Sequence, residues 1–126
     1  MKKGYLSHYC CCGHTAYKQS IVCVNDNILC NIDNFITETP NTSFYDGLLI
    51  VVSHSFHTQK DIFLKQLQEA LKENQQLTIT NAVQQNDIYR NNPATIGSEC
   101  LIYTISPITW HTLRPTDPME LRIKLI

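Results

Sequence analysis

The sequence predicts a mainly β fold with one α-helix, and three observations carry that expectation. Short apolar runs broken by Gly, Pro, Asn and Asp recur along the chain, as strands and their turns do. One hairpin is apolar on both faces. Only the segment near residues 58–74 places its apolar residues at helical spacing. The composition agrees: 43% of the 126 residues are apolar and only 17% charged, which argues against disorder and against a coiled coil. A chain of this length buries roughly two-thirds of its unfolded surface and suits one domain, but it is too short for a (β/α)8 barrel of about 250 residues.

Residues 4–12 read as the first strand. Leu6, His8, Cys10 and Cys12 alternate with Tyr5, Ser7, Tyr9 and Cys11, and Gly13-His14 turns the chain. Tyr17 to Val24 and Asn27 to Phe35 form a hairpin across Asn25-Asp26, with Val24 opposite Asn27 and Cys23 opposite Ile28. Ile21, Cys23, Ile28 and Cys30 then share one face, and Val22, Val24 and Leu29 the other. Two apolar faces call for cover on both sides, as in a sandwich or a closed sheet. Thr37 to Thr42, with Pro40, is a polar connection. Phe44 to Val52 is the most apolar strand, and Asp46-Gly47 inside it marks either a tight turn or a bend.

The helix is predicted from Thr58 to about Asn74, with Phe63, Leu67, Ala70 and Leu71 on one stripe, Ile62 and Leu64 at its margins, and capping-box spacing from Thr58 to Asp61. Leu77 to Thr80 reads as a short strand and residues 81–97 as irregular. Cys100 to Ile105 and Met119 to Leu125 complete the strands, on either side of a stretch carrying Pro107, Pro115 and Pro118. The expected organisation is one domain, 1–126, comprising N-terminal strands (1–53), a helix with an irregular insert (54–97) and C-terminal strands (98–126).

Ten Lys and Arg balance eleven Asp and Glu, so the charge predicts neither a nucleic-acid partner nor an anionic membrane. The longest apolar run, Leu48 to Val52, is far below the roughly 18 residues of a membrane span, and no signal-peptide core follows Met1-Lys2-Lys3, so a cytoplasmic location is expected. Six cysteines, at 10, 11, 12, 23, 30 and 100, are then expected as reduced thiols, with Cys23 and Cys30 buried in the hairpin. Cys10, Cys11, Cys12, His14, Cys23 and Cys30 form the most visible metal candidate, yet their spacing matches no zinc finger. His54 and His57 are the other candidate metal ligands, near a strand end and ahead of the predicted helix. No phosphate-binding glycine loop, nucleophile elbow or paired carboxylate motif is present, and no cofactor is expected. Trp110 reads as the edge of a core.

The phrase Phe44-Tyr45-Asp46-Gly47-Leu48-Leu49 resembles the strand leading into the barrel of amidohydrolase-superfamily enzymes, the metal-dependent hydrolases and deaminases. Residues 4–35, with Asn25-Asp26-Asn27-Ile28 at their turn, are similar to the family's opening strands. Residues 95–126, with Leu113-Arg114-Pro115-Thr116, are similar to its closing ones. The resemblance implies a composite β-sandwich-like domain built from both ends of the chain. Val51-Val52 stands where the family has Pro-Gly, and His57-Thr58-Gln59 where it has its His-x-His metal motif. Residues 58–92 replace the barrel. It follows that a non-catalytic binding or assembly module is expected, self-associating as a homodimer or pairing with a full-length amidohydrolase relative, with the helix covering the former barrel-facing flank. A small metal-binding protein or metal-dependent hydrolase using His54 and His57 is the alternative.

Overall fold

The structure, a computed structural model, describes residues 1–34 and 41–126. Seven strands, β1 (Lys2–Cys12), β2 (Thr15–Asn25), β3 (Ile28–Asn34), β4 (Thr42–Phe44), β5 (Leu48–Val52), β6 (Leu101–Ser106) and β7 (Arg122–Leu125), form one mixed sheet. Its order is β3-β2-β1-β5-β6-β7, with β4 beside β1. The long β1 organises this order. Its first half pairs in parallel with β4 through Gly4 to Leu6, and its second half with β5 through Cys10 to Cys12. The expected Phe44–Val52 strand is therefore two strands along one neighbour, with Asp46-Gly47 at the bend between them. Most of the expected polar connection, residues 37–40, lies outside the described residues, as does Phe35.

The protein is mainly β, and strands from the two ends of the chain join as expected. They do so in one continuous sheet that folds over itself. The tip of the β2–β3 hairpin reaches the segment before β6: Leu29 N–H donates to Ser98 O, Gly97 N–H to Leu29 O and Cys100 N–H to Asn27 O, at 2.7–2.9 Å. Val22, Val24 and Leu29 thereby meet Leu49, Val51 and Ile102 in an inner core. On the other face, Leu48, Ile50, Val52, Tyr103 and Ile105 form a second core beneath the helices. This two-sided burial explains the unbroken apolar run of β5, which is buried at every position.

The hairpin turns one residue later than its sequence suggests. Asp26 (φ 50°) and Asn27 (φ 70°) take the left-handed pair of a two-residue turn, so Asn25 opposes Ile28 and Val24 opposes Leu29. A bulge then shifts the register, and Cys23 opposes Asn31. Val22, Val24 and Leu29 are buried as a set, but Cys23 and Cys30 are half-buried and belong to neither core. The prediction of burial for those two thiols fails because their face of the hairpin is not the inner one.

After β5 a 3₁₀ turn, His54–Gln59, leads into α1 (Lys60–Glu73), so His54 and His57 lie within a helical turn. The expected capping box does not form, and Thr58 Oγ1 donates to Ser55 O instead. Phe63, Leu67 and Leu71 are buried against the sheet, with Leu64 partly buried at the margin and Ile62 exposed. The expected strand at 77–80 and the irregular segment after it are helical: α2 (Ile79–Gln84) and α3 (Asp87–Arg90) follow N-caps Thr78 and Asn86, whose side chains accept from Asn81 N and Tyr89 N. Those two capping oxygens were the sequence signal for helix starts. Asn- and Gln-rich composition obscured it.

Candidate functional site

The sequence-predicted ligands do not converge. His54 Nε2 lies 3.5 Å from Glu99 Oε2 in an exposed pair. His57 Nδ1 shares a 2.6 Å hydrogen bond with the hydroxyl of Tyr103, whose buried phenol is pushed up by desolvation. The two imidazoles have separate partners despite the i, i+3 spacing. Cys10, Cys11 and Cys12 alternate across β1, so Cys10 lies in the inner core and Cys11 in the helix-side core. Burial pushes the Cys11 thiol up to about 12 and the Cys12 thiol up to about 11. His14 is exposed beyond the strand, lining a cleft with Tyr89 and Arg90. Among the described residues, no group of three or more His, Cys, Asp and Glu is placed to hold a metal ion.

A different set of residues does converge. His8 and Tyr9 of β1, Phe44 of β4, Asp46 at the bend and Trp110 meet on one surface. The Trp110 indole N–H donates to Asp46 Oδ1 at 3.1 Å, and His8 Nε2 lies 4.0 Å from the same oxygen. The His8 ring is 4.7 Å from the Trp110 ring and 5.4 Å, edge to face, from Phe44. The Tyr9 ring stacks on Trp110 at 6.0 Å. Asp46 is 80% exposed and Phe44 56%. An exposed carboxylate thus stands among aromatic rings.

Three local features build this patch. Consecutive strand residues normally point to opposite faces, yet His8 and Tyr9 both reach Trp110. The β1–β2 ladder pairs Ser7 with Ser20 and Tyr9 with Lys18, but skips His8 and Gln19, and Gln19 has φ 48°. The alternation breaks there, which also puts Tyr5 and Cys10 on the same core although strict alternation separates them. The second feature is the Gly47 bend. A Cβ at Gly47 would overlap Thr104 Oγ1 and stand 3.0 Å from Ile105 O, so only glycine lets the chain pass β6 and present Asp46. Third, the Trp110 turn is tied down from below. Thr109 N–H donates to Arg114 O, Leu113 takes φ 55°, and the Arg114 guanidinium donates to the carbonyls of Leu71, Asn74 and Leu77 around the end of α1. Those carbonyls sit at the negative end of the helix, where a cation is favoured.

Trp110 packs at the edge of the helix-side core, as its sequence reading holds. The sequence reading missed its aromatic company, because residues 8, 44, 46 and 110 are joined only by the topology. No family model, curated protein or solved structure matches this chain.

Proposed function

We propose that the protein is a non-catalytic binding module of amidohydrolase-like composite type that takes a cationic side chain of a polypeptide partner on the patch of His8, Tyr9, Phe44, Trp110 and Asp46. One observation carries this reading: Asp46, 80% exposed, is held by the indole N–H of Trp110 among three further rings. Aromatic faces are electron-rich, and a carboxylate beside them adds formal negative charge, so the complementary guest is a cation. Arginine suits it best, because a planar guanidinium stacks on a ring while donating to a carboxylate.

The magnitudes select a polypeptide as the carrier of that cation. An exposed cation–π contact is worth about 0.5–1 kcal/mol and an exposed ion pair about 0–1 kcal/mol. Two rings and the carboxylate together give roughly 1–3 kcal/mol, weaker than the ~4 kcal/mol of millimolar binding. Useful affinity therefore requires further contacts along a chain, with the patch choosing the anchoring residue.

The single tryptophan makes the test direct, since the spectrum contains one indole N–H resonance. N-acetyl-arginine amide is expected to shift the Trp110 indole resonance of the wild type progressively and to shift that of Asp46→Asn severalfold less. An equal response in both proteins would overturn the role of the carboxylate.

A further inference from the structure

Four of the six cysteines are part of the packing, and two are not. Cys10, Cys12 and Cys100 line the inner core and Cys11 the helix-side core. Cys23 and Cys30 stand outside both, half-buried on the hairpin face away from the inner core. The bulge brings them together. Cys23 opposes Asn31 and Val24 opposes Leu29, so Cys30 is the extra residue of β3 and faces β2 at Cys23. The two thiols are near enough to interact electrostatically, and the Cys30 thiol donates to Ile28 O at 3.7 Å. Both thiols are partly exposed, and β3 is the outer strand of the sheet on the Cys30 side.

We infer that Cys23 and Cys30 form a modification site, a dithiol that closes to a disulfide by exchange with a small-molecule disulfide of the glutathione type. One protein thiolate attacks a sulfur of the small disulfide, forming a mixed disulfide and expelling one small thiolate. The second protein thiolate then attacks the mixed disulfide at the protein sulfur and expels the other. The protein loses two electrons and two protons, and the small disulfide is reduced to two thiols. The resulting bridge staples the bulge behind Leu29 and Asn27, the residues whose backbone closes the sheet onto Gly97, Ser98 and Cys100. The other four thiols are expected to remain reduced, because Cys10, Cys11 and Cys100 are buried and Cys12 is packed with its thiol toward Ala94 O.

The test incubates the folded protein with oxidised glutathione, unfolds it, caps the remaining thiols and maps peptides by mass spectrometry. Of the six thiols, two are expected to be lost, in a peptide pair linked through Cys23 and Cys30. Cys23→Ser is expected to stop at a glutathione adduct on Cys30, and Cys30→Ser at one on Cys23. Six capped thiols would overturn the inference. So would a bridge between any other pair, or stable glutathione adducts on both cysteines of the wild type.

Discussion

Replacing Gly47 with alanine adds one methyl group at the bend that presents Asp46, and the structure fixes the sign of its effect. At an accommodating position, Gly→Ala stabilises by about 0.4–1 kcal/mol by reducing the freedom of the unfolded chain. Gly47 is not such a position. Its added Cβ would overlap Thr104 Oγ1 and stand 3.0 Å from the carbonyl oxygen of Ile105. The threonine can rotate away. The carbonyl belongs to the β5–β6 ladder, in which Leu48 opposes Ile105, and it moves only with the strand. Overpacking of a filled site costs about 1–3 kcal/mol, so the net expectation is a loss of roughly 1–2 kcal/mol. Urea unfolding reads this as a lower midpoint at unchanged slope. Adding Thr104→Ala removes the side-chain overlap and should recover only part of the loss. A G47A protein as stable as the wild type would refute the argued fit of Gly47 against β6.

The buried thiols make stability fall in alkali. Cys11 is pushed up to about 12, and Cys12 and Cys100 to about 11, from an ordinary value of 9.0. Folding favours the protonated form, so this contribution is complete below pH 9 and declines as the pH rises through 11 and 12. Urea midpoints should drop over that range, and less steeply for Cys11→Ala; an identical drop in that variant contradicts the assignment. Removing the helix stripe at Leu67, 1% exposed, is expected to cost about 2–5 kcal/mol in Leu67→Ala, measured by the same unfolding curves. The homodimer expected from the sequence would use the flank where α1 leaves Ile62 57% exposed. Light scattering should then show a dimer that Ile62→Lys converts to monomer, and a wild-type monomer at every concentration rejects it.

The elements whose apolar period is regular were legible in the sequence. The stripe Phe63, Leu67 and Leu71 found α1, and the alternation of Val22, Val24 and Leu29 found the inner face of the hairpin. What failed depended on single backbone conformations. The left-handed pair Asp26 and Asn27 moved the turn by one residue, and the bulge at Cys30 separated two thiols from the core. Neither leaves a trace in hydrophobic period. The helices α2 and α3 are shorter than two turns, too brief for periodicity to distinguish from a loop, and only their caps at Thr78 and Asn86 announced them. The aromatic patch was invisible for another reason. Its members come from two neighbouring strands, the bend after one of them and a distant turn, and they meet only because β4 lies along β1 while Arg114 holds the Trp110 turn to α1.

Titration of the intrinsic Trp110 fluorescence with a short peptide carrying arginine, against the same peptide carrying citrulline, tests the binding account most directly. Citrulline keeps the shape of arginine and removes its charge, so the comparison isolates the cation. A progressive fluorescence change is expected with the arginine peptide over roughly 10–100 mM, and a severalfold weaker one with citrulline. Equal changes with both peptides, or no change with either over that range, would contradict the proposed role of the patch.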